Sequence, residues 1–197
     1  ELGVSGNVIN FYYTKRTDIP YTVKYLEEGT NEVLATEKTV ENNTFKSVVT
    51  EKAIDIVGYN KPSNDSQTIT IAAEGNEIIF YYTRRTDIEY TVNYLEKLED
   101  GTESKISKSK VVTGQTYLTE VTEEAIDVVG YNKEEPTSHT ITLDIENNVI
   151  NFYYTKRTDL SYTVKYLEKD TNKVLAESKV VTEQTYLQEV TENAIDI

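Results

Sequence analysis

Three cationic doublets recur along the sequence, each followed by Thr and Asp: Lys15-Arg16, Arg84-Arg85 and Lys156-Arg157. Ammonium and guanidinium groups bind carboxylates and sulfates, and arginine does so in bidentate fashion. The doublets therefore predict a periodic row that holds sialic or sulfated sugars, with the candidate residues Arg84, Arg85, Lys156 and Arg157. In the alternative, each cation pairs with a nearby Asp or with an acidic neighbouring domain. The net charge of −14 favours this alternative, because it repels polyanions at long range.

The sixteen tyrosines are the most distinctive residues of the chain, and they recur in columns. A tyrosine ring stacks on the apolar face of a sugar, and its hydroxyl forms hydrogen bonds. In the run Phe80-Tyr81-Tyr82, strand alternation places Tyr81 on the face opposite its two neighbours. Tyr81 and its counterpart Tyr153 are therefore the candidate glycan-stacking residues. The alternative, which we favour for the tyrosines as a group, is that they fill a core with their hydroxyls at its rim.

The sequence offers little catalytic or metal-binding chemistry. It has no Cys, no Met and one His, and His139 occupies the position that Gln67 holds one repeat earlier. The acid pair Glu123-Glu124 is adjacent in sequence, so its side chains diverge on a strand and do not form an acid/base pair. The acidic run Leu98–Glu103 lacks the ligand spacing of an EF-hand loop. We therefore expect no enzyme activity, no catalytic or metal site and no cofactor.

Charge and hydropathy restrict the partners. With 20 Lys and Arg against 34 Asp and Glu, the chain repels nucleic acid and anionic membrane surfaces. Its apolar runs are far shorter than the roughly 18 residues that cross a bilayer. We expect no nucleic-acid partner and no membrane insertion.

An internal repeat organises the chain. The phrase Phe11–Asp18 returns as Phe80–Asp87 and as Phe152–Asp159, with offsets of 69 and 72 residues. Ala53–Ile56 returns with offsets of 72 and then 69, so the second copy has three extra residues between Tyr94 and Lys110. Because insertions are tolerated at exposed loops, the three extra residues predict a surface hairpin between Tyr94 and Lys110.

Within one repeat the patterns predict four strands and one helix. Tyr21, Val23 and Tyr25 alternate with polar residues, which is typical of a half-buried strand. A turn follows over 27–32, and a second strand covers 33–40. Residues 49–56 have apolar positions at helical spacing and predict a short helix. Strands over 68–71 and 77–83 complete a β-β-α-β-β order, an α+β and β-rich fold.

These phrases resemble the MucBP-type mucin-binding repeats of Gram-positive surface proteins. The resemblance rests on Tyr21–Leu26, on Gly29 in the first turn, on Ile54–Tyr59 and on the Phe-Tyr-Tyr-Thr run. It implies elongated ubiquitin-like β-grasp domains in tandem, joined as a rod, in large secreted adhesins attached to the cell wall. Units of that family usually carry more glycines in the first hairpin and before the helix than this chain does. This departure favours a stalk repeat without ligand contacts.

The repeat phase predicts four segments. Residues 1–20 would be the final strands of a preceding repeat, 21–89 and 90–161 complete repeats, and 162–197 the opening part of a further repeat. Since open strand edges recruit strands, we expect head-to-tail self-association in which 7–14 of one molecule completes the open sheet of another. In the alternative, the true boundary lies elsewhere, with Phe11-Tyr-Tyr-Thr and Tyr21-Thr-Val-Lys-Tyr in one domain.

Together these observations predict a non-enzymatic tandem-repeat segment of a cell-wall-attached, extracellular bacterial adhesin. It would bind mucin or other glycoproteins multivalently. The alternative is a structural spacer with no ligand of its own.

Overall fold

The computed structural model describes all 197 residues, and its regular elements are fifteen β-strands. Contacts divide the chain into two compact units, Glu1–Arg85 and Thr86–Ile197. No helix in the structure is long and apolar enough to cross a membrane. The finer division into four segments stays a prediction.

The first unit contains six strands. They are β1 (Ile19–Glu27), β2 (Val33–Asn43), β3 (Val48–Lys52), β4 (Tyr59–Asn60), β5 (Ser66–Thr70) and β6 (Glu77–Arg84). Four of them form a mixed sheet in the order β2-β1-β6-β4, and β3 and β5 form a separate antiparallel ribbon. Residues 1–18 contain no strand.

The second unit repeats this arrangement and adds a hairpin. Its strands are β7 (Ile88–Lys97), β8 (Glu103–Lys105), β9 (Lys110–Gln115), β10 (Glu120–Glu124), β11 (Tyr131–Lys133), β12 (Ser138–Thr142) and β13 (Val149–Lys156). The sheet order is β11-β13-β7-β8, with β9 also paired to β7, and β10 and β12 form the ribbon. The added hairpin consists of β14 (Leu160–Leu167) and β15 (Val174–Gln184).

The first and last strands of each repeat lie side by side and run parallel. In the first unit β1 pairs with β6 from Thr22 beside Glu77 to Glu27 beside Tyr82. In the second unit β7 pairs with β13 from Thr91 beside Val149 to Glu96 beside Tyr154. Parallel strands need a long crossover between them, and the intervening ribbon supplies it.

Strict alternation on these two strands builds each core. Tyr21, Val23 and Tyr25 of β1 are buried, as are Phe80 and Tyr82 of β6. The rings of Tyr25 and Phe80 stack with their centroids 6.1 Å apart. Every second side chain thus faces inward, as the period of a half-buried strand requires. The second core repeats this pattern with Tyr90, Val92, Tyr94, Phe152 and Tyr154.

The antiparallel ribbon covers this core. Val49 of β3 and Ile69 of β5 are cross-strand partners, and both pack against the buried cluster. On the outer face the hydroxyls of Thr50 and Thr68 lie 2.8 Å apart. The β-branched residues of the ribbon therefore occupy both of its faces, with Val49 and Ile69 on the face that covers the core and Thr50 and Thr68 on the face towards solvent.

The predicted helix over 49–56 is wrong, and so is the α+β, β-grasp fold class. Val48–Lys52 is strand β3, and the segment after it, through Ile56, has no regular structure. The helical spacing of Val49, Ala53 and Ile56 arises because all three contact the same core from an extended chain. Pairing with β5 outweighs the local helical pattern.

The hairpin predictions are confirmed. Residues 28–32 form the turn between β1 and β2, with Gly29 at a φ of 86°. In the second unit the three extra residues fall between β7 and β9, where the hairpin opens into an exposed turn at 98–102.

Within the second unit, the added hairpin docks on the loop before β11. Tyr186 lies edge-on to Tyr131, with ring centroids 5.5 Å apart, and a Cβ placed on Gly130 would overlap the Tyr186 ring. The peptide N–H of Arg157 donates to the Gly130 carbonyl at 2.9 Å, and that of Tyr186 donates to the Arg157 carbonyl at 2.8 Å. Gly130, with a φ of 83°, is therefore required both by its backbone and by the ring that covers it.

Core burial gives a matched test within the first unit. We expect Phe80→Ala to lower the free energy of unfolding of this unit by about 3–5 kcal/mol, because it removes a fully buried ring. Phe11→Ala removes the same side chain from the same sequence phrase, where it is 77% exposed, and should change it by less than about 0.5 kcal/mol. Urea unfolding at low protein concentration measures both, and equal effects would contradict the core assignment.

Candidate functional site

A groove lies on the outer face of β6 in the first unit. Its floor consists of Ile79, Tyr81 and Thr83, whose side chains point away from the core, together with Gln67 of β5. Its rim consists of the segment 60–64 and Glu28, and its volume is about 390 Å³. The same alternation that buries Phe80 and Tyr82 therefore presents Tyr81 to solvent, where it is 42% exposed.

Some polar groups of this groove are committed to the fold. The Gln67 side-chain N–H donates to the Ile79 carbonyl at 2.8 Å. The Asn60 side chain donates to the Thr83 hydroxyl and to the Arg84 carbonyl, each at 3.2 Å. These bonds fix the floor against the rim.

Other groups of the groove have no intramolecular hydrogen bond. They are the Tyr81 hydroxyl, the Ser63 hydroxyl, the Asn64 amide and the Gln67 side-chain carbonyl. Lys61 lies on the rim, but its ammonium is 2.9 Å from the Asp55 carboxylate. The groove therefore combines an exposed aromatic face with uncharged donors and acceptors.

The counterpart of this groove in the second unit is covered. The Tyr153 hydroxyl donates to Glu103 at 2.8 Å, and the Lys97 ammonium lies 4.2 Å from the centre of the Tyr153 ring. The rim positions of Pro62, Ser63 and Asn64 are held here by Glu134, Glu135 and Pro136. Tyr81 and Tyr153 therefore occupy equivalent positions in the repeat, but only the ring and hydroxyl of Tyr81 are free to contact a ligand.

Two of the predicted anion-binding cations join the ends of parallel strands. The Arg84 guanidinium donates to both carboxylate oxygens of Glu27, at 2.5 and 3.3 Å, and the Glu27 side chain is almost fully buried. The hydrogen bond from Arg84 holds the pKa of Glu27 below its usual value. In the second unit Lys156 takes the same place, 3.4 Å from Glu96.

The other two predicted cations are also engaged. Arg157 lies 2.7 Å from Asp159, and both side chains are exposed. Arg85 likewise has an interaction partner. The pair of Arg157 with Asp159 is of the kind that the ion-pair alternative describes, whereas Arg84 and Lys156 pair with glutamates of their own repeats. A glycan-binding role for the six predicted residues stays a prediction.

A hydrogen-bonded network of Tyr, Glu and Lys recurs in every repeat and was not predicted from the sequence. In the first unit the Tyr21 hydroxyl donates to Glu51 at 2.6 Å, and the Lys38 ammonium lies 2.7 Å from the same oxygen. Tyr90, Lys110 and Glu123 repeat the network with contacts of 2.6–2.8 Å, and Tyr162, Lys179 and Glu192 with contacts of 2.6–3.0 Å. Each network ties the first strand to its hairpin partner and to the segment beyond.

The electrostatics of this network are mutually supportive. Desolvation alone raises the pKa of Glu51, but the hydrogen bonds from Lys38 and Tyr21 bring it below its usual value. Burial, followed by the hydrogen bond to Glu51, raises the pKa of Tyr21 to about 12. The two donors thus hold the carboxylate in its ionised form.

A sequence signal for this network exists. Lys and Glu are separated by 13 residues in each of the three copies. A Lys and a Glu that recur together at a fixed spacing, in register with a recurring Tyr, indicate a structural pair that each repeat rebuilds.

The remaining chemistry-bearing residues do not converge on a site. His139 lies on β12 beside Glu123, and its ring contacts Phe152 with centroids 5.3 Å apart. In the acidic turn, Asp100 accepts hydrogen bonds from the Thr102 N–H and hydroxyl at 2.9 and 2.6 Å. No group of three or more His, Cys, Asp or Glu in the structure is arranged to hold a metal ion.

Comparison with known proteins finds solved structures but no relatives in sequence. No protein-family model and no curated protein matches the chain. Among solved structures, a type 2 repeat of the mucus binding protein MUB from Lactobacillus reuteri aligns at 11% identity and a TM-score of 0.25, over 71% of this chain and 100% of that one. The structure of Mub-RV aligns at 12% identity and a TM-score of 0.25, over 71% and 99%. The predicted resemblance to mucin-binding repeats is confirmed in that the structural neighbours include such repeats. A likeness this distant establishes no function.

The recurring network predicts an alkaline limit to stability. The folded pKa values of Tyr21 and Tyr90 are about 12, above the unfolded value of 10.0, so their contribution is complete below pH 10 and is lost as pH rises towards 12. In a Tyr21→Phe/Tyr90→Phe variant, the urea midpoint should fall less steeply over this range. Unfolding series at several alkaline pH values measure this, and identical slopes for the two proteins would refute it.

Proposed function

We propose that this chain is a segment of a bacterial cell-surface adhesin, attached to the cell wall, that contacts mucin or other glycoproteins through shallow grooves. The observation that carries the proposal is the groove at Tyr81, which offers a free aromatic face beside uncharged hydrogen-bonding groups. The rest of each repeat is consistent with a recognition module, because its ionisable groups are engaged in structural pairs.

In this proposal, the affinity for mucin comes from the number of simultaneous contacts and not from the strength of a single site. A groove open to solvent on one face buries little of a ligand, so single contacts are weak. A mucin displays many glycans on one polypeptide, and many copies of an adhesin lie on one cell surface. Weak contacts then act together with an effective concentration that a single site lacks.

The proposal predicts saturable binding of the full chain to immobilised mucin at physiological salt. Enzymatic removal of the glycans from the same mucin should abolish the signal, since the groove is assigned to saccharide and not to the polypeptide. Surface plasmon resonance measures both surfaces in one experiment. Absence of binding to intact mucin would favour a spacer with no ligand of its own.

A further inference from the structure

We infer that the groove at Tyr81 binds a neutral saccharide, and that its counterpart at Tyr153 does not. This inference rests on the proposed contact with glycoproteins and deepens it by naming the site and the class of sugar. It differs from the prediction made from the sequence, in which a row of cations holds sialic or sulfated sugars.

The Tyr81 ring supplies the apolar contact. One face of a pyranose carries a patch of C–H groups, and an exposed aromatic ring on a rigid strand is a suitable surface for it. Tyr81 meets this requirement because its neighbours Phe80 and Tyr82 are both fully buried and fix the backbone beneath it. The stacking surface therefore needs no rearrangement before it binds.

The uncommitted polar groups around the ring suit sugar hydroxyls. A hydroxyl is both a donor and an acceptor, so it pairs with hydroxyl and amide groups that offer either function. Ser63 and Asn64 on the rim offer both functions, and the Gln67 carbonyl on the floor offers an acceptor. The Gln67 N–H is already bonded to Ile79, which orients the carbonyl as the free end of that amide.

The charges at the groove disfavour an anionic sugar. Lys61 is the one cation that lines the groove, and its ammonium lies 2.9 Å from the Asp55 carboxylate. Glu28 lines the groove as well and brings a carboxylate to it. A sialic acid or sulfate placed over Tyr81 would meet this carboxylate with no free cation to offset it. The chain's net charge of −14 acts in the same direction.

The second unit provides the contrast from within the same molecule. Lys97 occupies the position of Glu28, and its ammonium lies over the Tyr153 ring at 4.2 Å. Glu103 takes the Tyr153 hydroxyl, and Asn151 accepts a hydrogen bond from Asn93 at 2.9 Å. A sugar would have to displace a cation from the ring and a carboxylate from the hydroxyl before it could stack there.

The test uses the full chain with two probes, N-acetyllactosamine and its sialylated form, in NMR titrations at physiological salt. We expect the neutral sugar to bind saturably in the millimolar range and the sialylated sugar to bind more weakly. Tyr81→Ala should weaken binding of the neutral sugar by at least about tenfold, as loss of a central aromatic contact does. Tyr153→Ala is the matched control and should leave it unchanged.

Several outcomes would overturn this inference. It fails if Tyr81→Ala binds as well as the unmodified chain, if Tyr153→Ala loses binding equally, or if the sialylated probe binds more tightly. Thermal unfolding of the Tyr81→Ala variant should be unchanged, since the side chain is exposed, and this separates a lost contact from a lost fold. If mucin binds but neither sugar does, the inferred class of sugar is wrong and the proposed function stands; if nothing binds, both fail.

Discussion

The parallel pairing of the first strand of each repeat with its last strand is the contact on which the rest of the structure depends. It joins residues more than fifty positions apart and brings Tyr25 beside Phe80 and Tyr94 beside Phe152. Because β1 and β6 alternate strictly, their pairing builds two surfaces at once in the first unit, an aromatic core on one side and the Tyr81 groove on the other. The closing ion pair of Glu27 with Arg84 lies at the end of the same two strands, where removal of Arg84 would leave the almost fully buried carboxylate of Glu27 without its cation.

The sequence was sufficient to predict β1, β2, β5, β6 and the first hairpin, but it wrongly predicted a helix where β3 lies and did not predict β4. The alternation of Tyr21, Val23 and Tyr25 with polar residues can be read from the sequence alone. Any strand with one buried face shows this pattern, whichever strand it pairs with. Residues 49–56 carry no such constraint. Their apolar spacing fits a helix and also fits an extended chain that touches the core intermittently, and only the partner strand β5, some twenty residues later, decides between the two.

The candidate site depends even more on contacts that are distant in sequence. The periodic cations were recognisable in the sequence as a set. Whether Arg84, Lys156 and Arg157 are free depends on their partners Glu27, Glu96 and Asp159, and only Asp159 lies near its partner in the sequence. Tyr81 and Tyr153 occupy one column and are indistinguishable by alternation. They differ because Lys97, at the position of Glu28, lies over the Tyr153 ring and because Glu103 accepts the hydrogen bond of the Tyr153 hydroxyl. A column of identical residues therefore predicts a common backbone position, and the accessibility of each member has to be found from its neighbours.

The direction of the paired strands also determines how a repeat responds to a pull on its ends. The chain enters a repeat at the beginning of β1 and leaves it at the end of β6, and in a parallel pair these points lie at opposite ends of the shared ladder. Tension between these two points acts along the strands and loads all the hydrogen bonds between β1 and β6 in shear at the same time. In a hairpin pulled apart at its open end, the hydrogen bonds instead break one after another. A cell-surface protein under flow would gain from this geometry, because resistance to shear is then a property of each repeat and does not require a covalent cross-link.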